Sequence, residues 1–182
     1  MDYKIKLISE RLILRSVQFS DAEEIFAYRS DKLTNKFQGW IPESIEEVKS
    51  FINEKICKDV NIPDTWHQLA IVEKESQKII GDFGIHFIDE DGYHAEIGFT
   101  LNKNFQGKGF ASEAVKTVLN YLFNELNKHR ITGSVDPENV SSIKLLFGVG
   151  FTKEAHFRKS LLINNQWCDD VIFAMLKEDW GK

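Results

Sequence analysis

A short glycine-containing segment, Gln106–Ala111 (QGKGFA), has the residue types and spacing to bind an anion. It precedes a long helical pattern, and a helix N-terminus presents unpaired backbone N–H groups together with the positive end of the helix dipole. Gly107 and Gly109 permit backbone conformations that other residues resist, and they let a ligand approach the chain closely. The segment therefore predicts a site for a pyrophosphate group.

The residues alone leave more than one ligand open for this segment. A P-loop is excluded, because the sequence contains no G-x-x-x-x-G-K-[ST] motif. A nicotinamide-dinucleotide site stays open, since residues 107–112 read G-x-G-x-x-S and Asp136 ends the next predicted strand. Against it, the third small residue is Ser112, and no further βαβ units follow. A tight strand-to-helix turn without a ligand is the remaining interpretation.

The elements around the glycine segment would fix its position. Ala95–Leu101 is typical of a strand that runs into the segment, and Arg130–Val135 is typical of a short strand after the helix. Ser112–Lys128 is the predicted helix, and as a crossover it makes the two strands parallel. Its apolar stripe consists of Val115, Val118, Leu119, Leu122, Phe123 and Leu126, and its opposite face of Lys116, Asn120, Asn124 and Lys128.

The whole chain alternates between strand and helix patterns. Ser9–Val17 predicts a first strand, two helices and three strands follow, and a helix from Asn139 precedes two final strands that turn at Asn164–Asn165. The order β-α-α-β-β-β-α-β-α-β-β indicates a mixed α/β fold. Because no internal repeat or linker interrupts this order, residues 1–182 are predicted to form one domain.

Bulk properties exclude several classes of partner. The net charge of −5 and the pI of about 5.6 give no electrostatic reason to expect binding to nucleic acid or to a membrane surface. Cys57 and Cys168 are far apart and outside any C-x-x-C pair, so neither a disulfide framework nor a metal site is predicted. No apolar run has the length of a signal peptide core or a membrane span. We therefore expect a cytoplasmic protein.

The glycine segment resembles a family signature. QGKGFA resembles the Q/R-x-x-G-x-G/A motif of the GNAT N-acetyltransferase superfamily, and Glu96–Leu101 before it and Asn139–Ser142 after it are similar to neighbouring family segments. Glu10–Arg15 and residues 165–176 resemble the branch that acetylates the N-termini of ribosomal proteins. The resemblance covers nearly the whole chain. It implies the single-domain GNAT fold, with a mixed, mostly antiparallel central sheet flanked by helices on both faces.

The resemblance implies acetyl-CoA as the cosubstrate and assigns its contacts. A backbone N–H near the end of the strand before the turn would also polarise the thioester carbonyl. Other roles stay open: Phe99 and Leu101 also suit the core, Lys108 also suits a solvated turn, and Asn139 also suits a helix N-cap. The cofactor-binding residues implied are Gln106, Gly107, Lys108, Gly109, Phe110 and Ala111 for the pyrophosphate, and Phe99, Thr100, Leu101, Asn139 and Ser142 for the pantetheine arm.

The catalytic residues follow from the reaction that the resemblance implies. Acetyl transfer to an amine needs a proton acceptor, and Glu96 on the strand before the turn is the first choice. A cross-strand pair is its alternative role, and His86 and His94 are alternative acceptors. Many superfamily members protonate the departing thiolate with a Tyr. None occurs in residues 139–150, so Ser142 becomes the candidate.

The acceptor is the least determined part of the prediction. Asp169 is a candidate for orienting the amine, or else for a hairpin salt bridge. The loop Asp31–Pro42 is free to vary with the acceptor. The branch resemblance implies a protein or peptide N-terminus; a small-molecule amine, a non-catalytic acyl-CoA-binding module and a homodimer stay open. Three aromatic residues that would line an acceptor pocket or serve the core are Trp40, Trp66 and Trp167.

Overall fold

One eight-stranded sheet runs through the protein, in the order β1-β2-β3-β4-β5-β6-β8-β7. The structure is a computed structural model, and it describes residues 5–163 and 165–181. The strands are β1 (Lys6–Ile8), β2 (Leu12–Ser16), β3 (Thr65–Glu73), β4 (Ile79–Phe87), β5 (His94–Leu101), β6 (Arg130–Val135), β7 (Thr152–Ile163) and β8 (Gln166–Leu176). The α-helices are α1 (Ala22–Arg29), α2 (Ile45–Glu54), α3 (Phe110–Asn120) and α4 (Val140–Val149).

The β5–β6 pair interrupts an otherwise antiparallel sheet. These two strands are parallel, and α3 is the crossover between them. Their pairing extends only from His94 to Glu96 on β5 and from Arg130 to Thr132 on β6. Beyond these residues the two strands are not paired, so a gap opens in the middle of the sheet. The predicted parallel crossover is confirmed.

The two faces of the sheet carry different helices. Along β3, Leu69 and Ile71 pack in the apolar cluster that contains α3, whereas Ala70 and Val72 pack in the cluster that contains α1 and α2. This alternation follows from the two-residue period of a strand. The predicted mixed, mostly antiparallel sheet with helices on both faces is therefore confirmed.

Two local predictions need correction. The first predicted strand, Ser9–Val17, corresponds to β2, and β1 before it was not predicted, because its three residues are too few to show an alternating pattern. The predicted helix from Ser112 begins at Phe110 and ends in a π-helical turn over Tyr121–Glu125. The predicted turn at Asn164–Asn165 includes Asn164, which lies outside the described residues.

Lys128 is buried, so its predicted place on the polar face of the helix is wrong. The helix has already ended, and Asn127 has a positive φ of 56° that turns the chain inward. The Lys128 ammonium donates to the Gly92 carbonyl at 2.6 Å and to the Asn61 side chain. It also lies over the Phe87 ring, and burial lowers its pKa.

Candidate active site

The gap between β5 and β6 exposes backbone hydrogen-bonding groups. At the two ends of the β4–β5 ladder, Asn102 N–H donates to the Ile80 carbonyl at 2.8 Å and Ile88 N–H donates to the His94 carbonyl at 3.3 Å. Even-numbered residues of β5 therefore pair with β4. The intervening residues direct their N–H and C=O groups towards β6, where pairing has ended; they are Ile97, Phe99 and Leu101.

A cavity of about 400 Å³ begins in this gap and extends to the glycine segment. A smaller cavity of about 100 Å³ continues it through the sheet, and both share Phe99 and Ser142. Asn139 borders the smaller cavity. The predicted cosubstrate residues that line the larger one are Phe99, Leu101, Gln106, Gly107, Gly109, Phe110, Ala111 and Ser142.

Glycine conformations shape the turn at the mouth of the larger cavity. Gly107 and Gly109 have φ values of 73° and 81°, in the left-handed region that disfavours other residues. Gly109 is the N-cap of α3 and has no side chain to satisfy the N–H groups of the first turn. These N–H groups can therefore bind an anion.

Arg11, the residue before β2, links this turn to the sheet. The sequence did not predict this role. Its guanidinium donates to the Lys108 carbonyl at 3.0 Å and to the Glu113 carboxylate at 2.7 Å, and it lies over the Phe110 ring. Burial tends to raise the pKa of Glu113, but hydrogen bonds from Arg11 and Ser9 outweigh it, so the pKa is lowered. A carboxylate in the first turn also stabilises the helix N-terminus.

A row of side chains crosses the α1–α2 face beside the gap. Trp66 on β3, His86 on β4 and Glu96 on β5 are consecutive cross-strand neighbours. The Trp66 and His86 rings stack with centroids 4.9 Å apart, and His86 Nδ1 lies 3.9 Å from the Glu96 carboxylate. Burial raises the pKa of Glu96, the interaction with His86 opposes this, and the charge of Asp170 adds to it; the net pKa is raised. A raised pKa is the direction expected of a proton acceptor, so Glu96 stays the first candidate for that role.

Comparison with known proteins identifies the family of this fold. Residues 11–152 match the family model described as an acetyltransferase (GNAT) domain. The chain belongs to the GNAT acetyltransferase family. This confirms the family resemblance of the QGKGFA segment and favours acetyl-CoA over a dinucleotide. The protein is accordingly an acetyl-CoA-dependent N-acetyltransferase.

Relatives of this GNAT enzyme match it along most of their length. The N-acetyltransferase p20 of Bacillus licheniformis is 35% identical over 176 residues, which cover 96% of this chain and 98% of the relative. The [ribosomal protein uS5]-alanine N-acetyltransferase of Escherichia coli is 26% identical, with 97% and 93% covered. A crystal structure of a GNAT-family acetyltransferase from Bacillus anthracis is 28% identical and superposes with a TM-score of 0.84, with 96% and 99% covered.

Several residues predicted for the GNAT cosubstrate site make contacts within the protein. The Gln106 amide donates to the Leu101 carbonyl at 2.9 Å. The Asn139 side chain accepts from Ser142 N–H at 3.2 Å, so the N-cap interpretation is confirmed. Thr100 and Lys108 do not line the larger cavity: Thr100 is buried on the α1–α2 face, and the Lys108 ammonium lies over the Phe105 ring.

Two other candidate acids and bases of the GNAT site, His94 and Asp169, make hydrogen bonds within their own hairpins. His94 Nδ1 bonds Asp89 at 2.6 Å within its own hairpin. Asp169 bonds His156 at 2.8 Å and Lys159 N–H at 2.9 Å, as in the salt-bridge interpretation. Its neighbour Asp170, which was not predicted, points to the α1–α2 face of the sheet. The alternation of side chains along a strand is the one sequence signal that could have placed Asp170 on the face opposite Asp169.

Among the predicted tryptophans, only Trp66 reaches the row that contains Glu96. Trp40 stacks on Phe51 of α2 at 4.3 Å, and Trp167 is exposed on the β7–β8 hairpin. Within residues 5–163 and 165–181, no cluster of His, Cys, Asp or Glu is arranged to hold a metal ion. No helix in that part of the chain is long and apolar enough to cross a membrane.

Gly109→Ala tests the turn. A Cβ at this position would carry about 1–2 kcal/mol of left-handed strain and would meet the Arg11 guanidinium at 3.4 Å. We expect a turn displaced in this way to lose one charge-assisted hydrogen bond to the pyrophosphate, raising the Kd for CoA about tenfold. Titration calorimetry with CoA measures this. Gly148→Ala on α4, where a Cβ meets nothing within 4 Å, is the matched control; equal affinities in the two variants would contradict the prediction.

Proposed function

We propose that this GNAT enzyme, formed by residues 1–182 as one domain, transfers the acetyl group of acetyl-CoA to the primary amine of a protein or peptide N-terminus. The observation that carries the proposal is the continuous path through the sheet: the larger cavity begins at the glycine turn, and the smaller one continues it past Gly98, two residues from Glu96. The cytoplasmic location and the homodimer stay predictions.

The residues around the larger cavity fit acetyl-CoA. The free N–H groups at the start of α3 suit a pyrophosphate, because they supply donors and positive potential without a side-chain charge. The backbone N–H groups of Phe99 and Leu101, which face the gap, suit the carbonyl groups of a pantetheine arm. The carbonyls of the same two residues accept from Gln38 and Gln106. One of these N–H groups would also donate to the thioester oxygen as negative charge develops. Such an oxyanion donor lowers a barrier by roughly 3–4 kcal/mol.

Glu96 and Ser142 supply the two proton transfers of a direct attack. Glu96 takes a proton from the ammonium form of the acceptor, and the resulting neutral nitrogen attacks the thioester carbon. The carbon–sulfur bond then breaks, and the Ser142 hydroxyl donates a proton to the departing thiolate. Ser142 recovers a proton, through water, from the attacking nitrogen as it becomes the amide, and Glu96 releases its proton to solvent. Ser142 is suited to this because it borders both cavities. The attack forms no covalent bond to the enzyme, and Cys57 and Cys168 border neither of the two cavities.

An open surface beside Glu96 supports a polypeptide acceptor. The apolar cluster under α1 and α2 is formed with residues of β3 and β4, whereas Thr132 and Ser134 on the same face of β6 are partly or fully exposed. A flexible chain terminus can reach such a surface without entering an enclosed pocket. The similarity to the [ribosomal protein uS5]-alanine N-acetyltransferase points to the same acceptor class.

The proposed function is tested by thiol release from acetyl-CoA. Peptides with a free N-terminus are compared with the same peptides acetylated at the N-terminus, and with a panel of small amines. We expect turnover with free N-termini and none with blocked ones. Turnover confined to small amines would favour the small-molecule alternative, and CoA binding without turnover would favour a non-catalytic acyl-CoA-binding module.

A further inference from the structure

A narrow open space lies above Gly98 on the α1–α2 face. A Cβ built on Gly98 meets no atom within 4 Å, whereas its cross-strand neighbour Gly84 is covered by Trp66 and Gln68 at 3.0 Å. The space also borders the smaller cavity, which Gln38 closes from above by donating to the Phe99 carbonyl at 3.4 Å. Gly98 is therefore the floor of the opening through which the acetyl group and the amine must meet.

Asp170 stands at the far side of this opening. Glu96 pairs with Thr132, so Gly98 lies level with Ser134 on the diverging strand β6. The Ser134 hydroxyl donates to the Asp170 carboxylate at 2.7 Å. Asp170 is only 8% exposed, yet its charge acts on Glu96 from across the gap.

No cation pairs with Asp170 in the part of the chain that the structure describes. Arg130, on the same face of β6, is engaged by Glu154 at 3.0 Å. A carboxylate removed from water without a counter-ion is unfavourable, and a cationic ligand would relieve that cost. The charge and the open space together specify what fits here: a primary ammonium group whose attached carbon carries only small substituents, as at the N-terminus of a peptide that begins with a small residue.

We propose that Asp170 and Gly98 form the acceptor subsite of this enzyme, in which Asp170 binds the incoming amine as its ammonium cation and Gly98 leaves room for the attached carbon. This rests on the proposed acetyl transfer. Asp170 holds the cation beside Glu96, which then takes the proton, and the neutral amine attacks the thioester. Asp170 is a binding residue and Glu96 the proton acceptor, so their substitutions have different kinetic signatures.

The binding experiment does not require turnover. n-Hexylamine, with n-hexanol as the uncharged control, is titrated into CoA-loaded protein while the backbone amide NMR signals of Gly98 and Gly133 are followed. Asp170→Asn keeps the shape and an acceptor for Ser134. We expect it to bind hexylammonium about tenfold more weakly than the wild type, as loss of one charge-assisted hydrogen bond implies, with hexanol unaffected. Equal binding by both proteins, or no binding by the wild type, overturns the subsite.

Kinetics separate the subsite from the chemistry. Asp170→Asn should raise the KM for the acceptor about tenfold with little change in kcat, since it removes binding and not proton transfer. Gly98→Val should raise the same KM by filling the opening, and the Kd for CoA should stay unchanged. Gly148→Val on the exposed side of α4 is the matched control. A fall in kcat with unchanged KM in both Asp170→Asn and Gly98→Val would overturn the assignment. Absence of any turnover in the wild type would count against the proposed function alone, because hexylammonium binding still reports on the subsite.

Discussion

Glu96→Gln is expected to lower kcat about 10²- to 10³-fold, the usual contribution of a positioned general base. The amide keeps the size of the side chain but cannot accept the proton of the acceptor ammonium. The Kd for CoA should stay unchanged, because Glu96 borders neither cavity. Steady-state thiol release and CoA titration measure the two quantities.

The pH profile gives an independent signature of the same residue. Burial and the charge of Asp170 raise the pKa of Glu96 more than the interaction with His86 lowers it. A base must be deprotonated to act, so kcat/KM of the wild type should fall as the pH drops through this raised pKa. Glu96→Gln should lose that acidic limb. His86→Gln removes an opposing charge and should move the limb to higher pH.

A matched substitution separates catalysis from general charge effects. Glu178→Gln removes one carboxylate at an exposed position near the end of the chain and should leave kcat and its pH profile unchanged. If Glu96→Gln retained the wild-type kcat and the acidic limb, the proton acceptor would lie elsewhere. His86, which stacks on Trp66 beside the gap, would then be the next residue to substitute.

Local patterns in the sequence predicted the glycine turn and the elements that position it. The QGKGFA turn, the strand before it and the crossover helix after it are contiguous in the chain, so short-range rules are sufficient there. The position of Glu96 could be predicted for the same reason, since strand alternation places its side chain on the face opposite Ile97. The correct element order then fixed the parallel β5–β6 pair, because parallel neighbours need a crossover.

The acceptor side depends on contacts that no local pattern records. Arg11 reaches the turn across 97 residues of sequence, and the separation of Asp169 from Asp170 depends on the register of β8. A slip of one residue would exchange the two faces. Trp66 and Gln68 cover Gly84 and leave the space above Gly98 open. Side-chain packing of that kind follows only from the assembled sheet.

Arg29→Met is expected to lower the free energy of unfolding by about 3–5 kcal/mol, the usual effect of removing one partner from a buried ion pair. Asp82 is only 1% exposed and accepts two hydrogen bonds from the Arg29 guanidinium, at 2.8 and 2.5 Å. Tyr28 donates to it at 2.6 Å and Gln68 at 2.5 Å. These neutral donors cannot compensate the charge of the carboxylate, so the variant would bury it unpaired. Urea-induced unfolding followed by circular dichroism measures the loss.

The cost should come from the orphaned carboxylate, and two further variants separate that cause from lost packing. Arg130→Met removes an arginine from an exposed pair with Glu154 and should cost no more than about 1 kcal/mol. Adding Asp82→Leu to Arg29→Met removes the stranded charge, so the double variant should be more stable than Arg29→Met alone. Equal losses in Arg29→Met and Arg130→Met would mean that the buried pair contributes no more than a surface one.

The network also orders the acceptor side, because Arg29 lies under Trp40, at the end of the loop that carries Gln38. Arg29→Met should therefore raise the KM for the acceptor while the glycine turn, fastened separately by Arg11, keeps its affinity for CoA.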